Sequence, residues 1–381
     1  MSYQIKCSAC GQTTRNLLAY KCSSCGKPLE VQLTQPFQPE KTRPYNHTIW
    51  RYTNFFPYIQ EPDIITLGEG WTPLVKLTNG VYLKLENLNP TGSFKDRGSA
   101  TLISAVYEQV KEAGGYISED SSGNAGASIA AYAARAGLKA RIYVPENVAG
   151  PKLNQIQFYG AEVTRVAGTR SKVAEEAQKP EKKKYYVGHI LHPLFRDGIR
   201  SLAYEAAEQF GWRAPEHVYL PASAGTLLLG VASGFKHLVE SNVIETIPRI
   251  VACQTSQVSP LYHRFKGLPY HPPEKTASMA DALVSTDPPL LNLMTKALGE
   301  AEGNTVTVEE TEIARAFQEL AHKGFFVEPS SAVAYAVYKK QTSNGKTPEK
   351  GNTVIILTGT GLKTALKPAQ IDSLTSQYKR F

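Results

Sequence analysis

Long apolar runs are missing from this 381-residue chain. No stretch approaches the roughly 18 apolar residues of a membrane span, and the start, MSYQIKCSAC, lacks the roughly 7–15-residue apolar region of a secretion signal. No membrane is therefore expected as a partner, and the cytoplasm is the expected compartment. Cysteine is scarce, five in all, with four in the first 25 residues. A reducing compartment favours metal ligation there over a disulfide framework. Positive charge is only modestly in excess: the formal net charge is +8, and it sits at the two ends. Residues 1–50 hold six Lys/Arg against two Glu, and residues 331–381 hold eight against two acids. A nucleic-acid binder would carry a basic stripe with interleaved aromatics in its folded body, so no nucleic-acid partner is expected.

Signature loops are absent as well. The sequence has no G-x-x-x-x-G-K-[ST], no G-x-G-x-x-G after a strand, no H-E-x-x-H and no G-x-S-x-G, and its eight histidines form no metal-like group. ATPase, nicotinamide dehydrogenase, zinc peptidase and serine hydrolase chemistry lose their support. What remains is ordinary for a globular protein with a sizeable core, 42% hydrophobic and 20% charged, which excludes disorder and a coiled coil.

Cys7, Cys10, Cys22 and Cys25 form two C-x-x-C-G units closed by Gly11 and Gly26. Two such turns can aim four thiolates at one tetrahedral Zn²⁺, and a fully thiolate-ligated ion has no open position for catalysis. A structural zinc ribbon is expected. Cys253, alone, reads as a small buried hydrophobe. Residues 33–70, rich in Pro, Tyr and Phe, read as an irregular segment over a folded body. From Gly80 onward β-rich runs (VYLKLE, YISED, ARIYVP, VYLP, RIVACQT, NTVIILTG) alternate with helical stretches around 97–113, 127–136, 200–210 and 227–238. That alternation predicts parallel sheets with crossover helices in two α/β units. EKKKYY, at 181–186, reads as a solvated face.

Three Gly/Ser/Thr loops stand where strands end: Ser121-Ser122-Gly123-Asn124-Ala125-Gly126, Ser223-Ala224-Gly225-Thr226 and Thr358-Gly359-Thr360-Gly361. The carboxyl ends of strands line the ligand crevice of an open α/β sheet, and a helix N-terminus behind a loop offers unpaired N–H groups to an anion. Each loop alone is more often a helix cap or a turn. Lys95 lies in PTGSFKDRG (90–98), a turn entering a helix. In isolation it reads as a surface charge, but the positive end of a helix disfavours an ammonium and so assists imine formation.

Taken in order, LGEGWTPLVKL (67–77), PTGSFKDRG (90–98), SSGNAGASIAAYAARAG (121–137), GAEV (160–163), FVEPSSA (326–332) and LTGTGLK (357–363), with the cysteine units, resemble the fold type II (β-family) pyridoxal-phosphate enzymes, most closely the threonine synthases. The resemblance spans nearly the whole chain. It implies two doubly wound three-layer α/β domains with an N-terminal zinc-ribbon-like segment: 1–32 for the ribbon, 33–92 with 200–381 for the larger cofactor-binding domain, and 93–199 for a smaller inserted domain. It implies pyridoxal 5'-phosphate as cofactor, a small amino-acid substrate and a homodimer. Lys95 would be the Schiff-base lysine and the base at the substrate's α-carbon. Asn124 would bond the cofactor's 3′-oxygen, and Ser223, Ala224, Gly225 and Thr226 would cradle its phosphate. Ser121, Ser122, Gly123 and Ala125 would lie in the substrate loop. Thr358 would face the pyridine nitrogen, where a neutral hydroxyl makes the ring a weaker electron sink than an aspartate would, favouring elimination and replacement over transamination.

The sequence departs from the threonine synthases at Ala125, commonly threonine, and at Thr360, commonly histidine. The segment 192–200 only loosely matches the NP…R.EGQKT stretch that helps hold the phosphate of O-phosphohomoserine. Arg196 and Arg200 are candidates to bind a substrate anion, with exposed helix charges as the alternative. The implied reaction is O-phosphohomoserine plus water to threonine plus phosphate. A cysteine synthase or cysteate synthase type of β-replacement, a serine/threonine dehydratase, and a non-catalytic zinc-ribbon binding protein are the alternatives.

Overall fold

The computed structural model describes residues 2–276, 278–343, 351–366 and 371. Three sheets organise them. At the N-terminus β1 (Tyr3–Cys7), β2 (Thr13–Thr14) and β3 (Leu29–Leu33) form an antiparallel sheet in the order β2-β1-β3. One Cys-x-x-Cys turn (7–10) leaves the end of β1 and the other (22–25) precedes β3, whose first residue pairs with Cys7, so the segment is ribbon-like. The largest sheet runs β12-β11-β10-β13-β5-β4, from β4 (Leu74–Thr78), β5 (Val81–Lys84), β10 (His217–Pro221), β11 (Arg249–Thr255), β12 (Asn304–Val308) and β13 (Thr353–Ile356). All of its neighbours pair in parallel except the edge hairpin β4–β5. A third, wholly parallel sheet runs β8-β7-β6-β9, from β6 (Tyr116–Glu119), β7 (Lys139–Pro145), β8 (Glu162–Val166) and β9 (Lys184–Tyr186).

Strand residues buried on both faces give near-continuous apolar runs, and this explains the three layers. In β10, Val218 and Leu220 enter one core while Tyr219 between them enters another. Ile250 and Ala252 of β11 likewise oppose Val251 and Cys253, and Cys253 is fully buried, as a small hydrophobe should be. Helices α6 (Ser201–Gln209) and α7 (Thr226–Glu240) cover the first face, and α10 (Glu310–His322) with α11 (Pro329–Ser343) the second. Around the smaller sheet, α2 (Asn124–Ala136) packs on one side and α4 (Arg170–Gln178) on the other. Helices α1 (Lys95–Glu112), α3 (Pro151–Phe158), α5 (Pro193–Ile199), α8 (Pro260–Lys266) and α9 (Leu291–Glu300) complete the set among the described residues.

Helices α1 and α5 approach closely because glycines stand at the contact. A Cβ on Gly198 would lie 2.3 Å from the Arg97 carbonyl oxygen, and one on Gly98 would lie 2.6 Å from the Phe195 ring. Residues 33–70 are irregular, as expected, with only short 3-10 turns such as Ile49–Phe55, yet Trp50, Tyr52, Phe55 and Phe56 are fully buried. They form part of the main core rather than a cover over it.

The placement of Arg196 and Arg200 corrects both readings made of them. Neither is an exposed helix charge, and neither lies free to meet a substrate. Arg196 is 5% exposed and gives its N–H groups to the carbonyls of Ile190 (2.7 Å), Leu191 (3.1 Å) and, from the ribbon, Leu29. Arg200 pairs with Asp197 and donates to the Val31 carbonyl at 3.1 Å. Two guanidiniums thus fasten β3 to the body of the molecule.

Candidate active site

In the larger sheet β10 has β11 on one side and β13 on the other, so the chain order reverses between β10 and β13. A ligand crevice forms outside the carboxyl ends of strands at such a reversal. There a cavity of about 650 Å³ opens, lined by Lys95, the 120–125 loop, the 222–226 loop and Thr358. It brings together Lys95, Ser121, Ser122, Gly123, Asn124, Ala125, Ser223, Ala224, Gly225, Thr226 and Thr358 from segments far apart in sequence. Arg196 and Arg200 do not line it.

Lys95 begins α1, and its Nζ lies 3.0 Å from Thr226 Oγ1, with the rings of Phe94 and Phe195 at 4.7 and 5.7 Å. Burial disfavours its ammonium; the charges of Glu119 and Glu328 oppose that only in part, and the amine falls to about 8. Desolvation, rather than the helix end that the sequence suggested, is the main cause.

Thr226 starts the 15-residue α7, and Gly225 before it holds a left-handed φ of 102°. A side chain there would be strained, and its Cβ would also meet Met294 Sδ at 2.8 Å. The N–H groups of Ser223, Ala224 and Gly225 have no partner among the described residues. Unpaired N–H groups at a long helix's N-terminus suit a phosphate. Thr358 Oγ1 lies 2.8 Å from Ser331 Oγ, in a buried hydroxyl pair.

Asn124, the first residue of α2, donates from Nδ2 to Glu328 Oε1 at 2.7 Å and accepts from Lys363 Nζ at 3.0 Å. Lys152 Nζ lies 2.8 Å from Asp281 and 3.5 Å from Glu328. Burial, opposed by Glu328 and Asp96, lowers Lys363 to about 8. Glu328 and Lys363 sit inside FVEPSSA and LTGTGLK, but the sequence assigned them no part.

The far wall was not anticipated either. Glu119 ends β6 and Asp120 follows it; His189 meets Glu119, and Asp120 takes Arg170 at 2.7 Å and the Tyr186 hydroxyl at 2.6 Å. Tyr186 is buried, so the EKKKYY stretch is not wholly the solvated face it was read as. Two carboxylates closing an apolar parallel strand are a signal that could have marked the first pair. Arg170, Tyr186 and His189 carry no local signal at all.

A family model described as "Pyridoxal-phosphate dependent enzyme" matches residues 65–359. The chain belongs to that family. Within these pyridoxal-phosphate-dependent enzymes it is similar to the threonine synthase of Methanocaldococcus jannaschii, 32% identical over 94% of this chain and 92% of the relative. It is 33% identical to that of Halalkalibacterium halodurans, over 82% of this chain and 88% of the relative. Solved structures agree on the fold. A processed threonine deaminase isoform 2 from Solanum lycopersicum superposes with a TM-score of 0.69 at 18% identity, covering 91% of this chain and 90% of the other. An O-acetylserine-dependent cystathionine β-synthase from Helicobacter pylori gives 0.64 at 22%, covering 80% and 96%. The protein is thus a fold type II, pyridoxal-phosphate-dependent lyase that carries out elimination or replacement on an amino acid. No described helix is long and apolar enough to cross a membrane.

The ribbon holds the second candidate centre. The four sulfurs of Cys7, Cys10, Cys22 and Cys25 lie within 4.8 Å of one another, with Cys7–Cys25 at 3.5 Å and Cys10–Cys22 at 3.6 Å. Thiolates about 2.3 Å from a tetrahedral Zn²⁺ stand about 3.8 Å apart, so the donor set fits that ion. Among these interacting thiols, burial is outweighed at Cys7 by the N–H groups of Cys10 and Ala9, which bring it down to about 6, whereas for Cys25 the Lys27 N–H is outweighed by Cys7, burial and the other thiols, which push it up to about 12.

Proposed function

We propose that this enzyme is a threonine synthase, releasing phosphate from O-phosphohomoserine and adding water to give threonine. Similarity to threonine synthases along nearly the full chain carries this reading. Pyridoxal phosphate, when bound, supplies an electron sink that acidifies the substrate's α-hydrogen and lets a side-chain substituent depart. Lys95 would hold the cofactor's aldehyde. Its amine, depressed towards neutral pH, suits it to take a proton from the substrate's α-carbon and return it. The unpaired N–H groups of 223–225 would hold the cofactor's phosphate, and Asn124, steadied by Glu328 and Lys363, its ring oxygen. Residues Ser121–Ala125, at the N-terminus of α2, would take the substrate carboxylate. The Thr358–Ser331 hydroxyl pair offers the ring nitrogen no proton-holding carboxylate, which favours elimination and replacement.

One observation supports a second reading, β-replacement on a serine derivative. Among the side-chain cations lining the cavity apart from Lys95, Arg170 is paired with Asp120 and Lys152 with Asp281 and Glu328, and Lys363, bonded to the neutral Asn124, has its ammonium disfavoured by burial. With Arg196 and Arg200 elsewhere, little unpaired positive charge remains for a substrate phosphate. The test is to titrate the yellow protein with O-phosphohomoserine, O-phosphoserine, O-acetylserine and threonine. O-phosphohomoserine is expected to change the absorption spectrum and release phosphate. A response confined to the serine esters would replace the threonine synthase reading with the second one.

We also propose that the four cysteines hold one structural Zn²⁺ and that the enzyme is a homodimer. Metal analysis and sedimentation read these directly.

A further inference from the structure

The wall of the cavity formed by β6 and the 187–191 loop contains an arrangement that the reading above leaves unused. Glu119 is the last residue of β6 and is fully buried. Its Oε2 accepts the backbone N–H of His189 at 2.9 Å, and its Oε1 lies 2.6 Å from His189 Nδ1. One carboxylate therefore fixes both the loop and the plane of the ring. The imidazole lies edge-on to Phe195, with centroids 5.7 Å apart, and the same Phe195 ring has Lys95 Nζ 5.7 Å from its centre. His189 lines the cavity, and its Nε2 has no partner among the described residues.

Other groups on this side are committed. Asp120 is taken by Arg170 and the Tyr186 hydroxyl, and Lys152 and Lys363 have partners of their own. Lys95 is occupied with the α-carbon. A replacement reaction needs a second proton acceptor, because the incoming nucleophile must lose a proton as its heteroatom bonds to carbon. An ionised Glu119 that receives Nδ1–H leaves the Nε2 lone pair as that acceptor; burial, then the Asp120 charge, push its carboxyl well up, opposed by the His189 N–H, Arg170 and Lys95.

We infer that His189 is the base that activates the second reactant, positioned by Glu119. This rests on the elimination/replacement reading. With water as nucleophile, the oxygen bonds to the substrate's side-chain carbon while one water proton passes to Nε2. The substituent has already left with its bonding electron pair. The imidazolium then gives its proton to solvent and returns to neutral. Groups facing the ring are Lys95 from α1, Glu119 from the end of β6, Asp120 just after it, and Arg170 from α4. Burial first, then the Lys95 charge, hold His189 well below the usual histidine range, so the ring is neutral at pH 7.

The experiment compares the cofactor-loaded parent with His189→Gln and Glu119→Gln. Borohydride reduction and mass spectrometry at Lys95 test the reading beneath the inference: no cofactor adduct there would remove both. With the adduct present, His189→Gln is expected to exchange the substrate's α-hydrogen with deuterated water within about threefold of the parent. Its addition product should fall about a hundredfold or more, the donor being diverted to keto acid and ammonia. Side-chain ¹⁵N NMR of the parent should find His189 neutral with the proton on Nδ1, and Glu119→Gln should shift that signal and slow addition. Addition by His189→Gln at the parental rate, or an Nε2–H tautomer in the parent, would overturn the inference while leaving Lys95's role intact. NMR keeps the question decidable if His189→Gln does not fold.

Discussion

Lys95 shows how one side chain's surroundings set its chemistry. A lysine amine ordinarily near 10.5 stands at about 8 because it is fully buried, and the Glu119 and Glu328 charges recover only part of the cost. The sign of the resulting pH effect follows from linkage. Between about 8 and 10.5 the unfolded chain still carries this proton and the folded chain does not, so its contribution to stability rises with pH across that window. In the cofactor-free protein, Lys95→Met should therefore be more stable than the parent at pH 7, with the gap closing as pH rises from about 8 towards 10.5. Denaturant melts of both proteins at pH 7, 8.5 and 10 measure it; a gap that widens with pH contradicts the assignment. Lys95 itself was legible in the sequence because PTGSFKDRG is a recognisable segment, whereas His189 was not. Its neighbour in function, Glu119, lies 70 positions earlier, and no local pattern announces a pairing across that distance.

Among the elements, α1 has the heaviest structural duty, since Lys95 sits on its first turn. Two residues later the fully buried Arg97 meets Glu86 Oε1 at 2.6 Å and Glu205 Oε2 at 2.8 Å, and Lys84 also pairs with Glu205. The Glu205 carboxylate additionally accepts the N–H groups of Trp71 and Thr72, both at 2.7 Å. Four charges from β5, the turn after it, α1 and α6 thus balance in a dry site. Removing one partner leaves the others uncompensated, which costs about 3–5 kcal/mol for a buried pair. Glu205→Gln should lose about that much in denaturant unfolding and weaken cofactor retention, because the start of α1 rests on this cluster. A loss below about 1 kcal/mol would show that the cluster does not anchor the helix. Strand and helix positions were readable from periodicity, since apolar runs buried on two faces leave a plain pattern. Short α5 was not, because its role is to pass Gly198 close beneath α1, and close approach leaves no periodic trace.

At the scale of the whole molecule, the ribbon and the cavity are joined by one guanidinium. Cys7 pairs in register with Leu29, the Leu29 carbonyl accepts from Arg196, and Arg196 also holds the carbonyls of Ile190 and Leu191 beside His189. The sequence offered Arg196 and Arg200 as candidate anion ligands, with exposed helix charges as the alternative, because 192–200 loosely resembles a segment that helps hold a substrate phosphate. Burial against the ribbon reverses that, and it could not be seen without knowing where β3 lies. The path has a consequence for metal removal. If Zn²⁺ orders the two cysteine turns, chelating it frees β3, and the 187–191 loop loses its tether. Treatment with a strong chelator, or Cys22→Ser, should release about one zinc per chain and lower the thermal midpoint by several degrees. It should also speed amide hydrogen exchange in residues 187–192 well above the rest of the cavity wall. Exchange that quickens only within residues 2–33 would mean that the ribbon is an independent appendage and that Arg196 transmits nothing to His189.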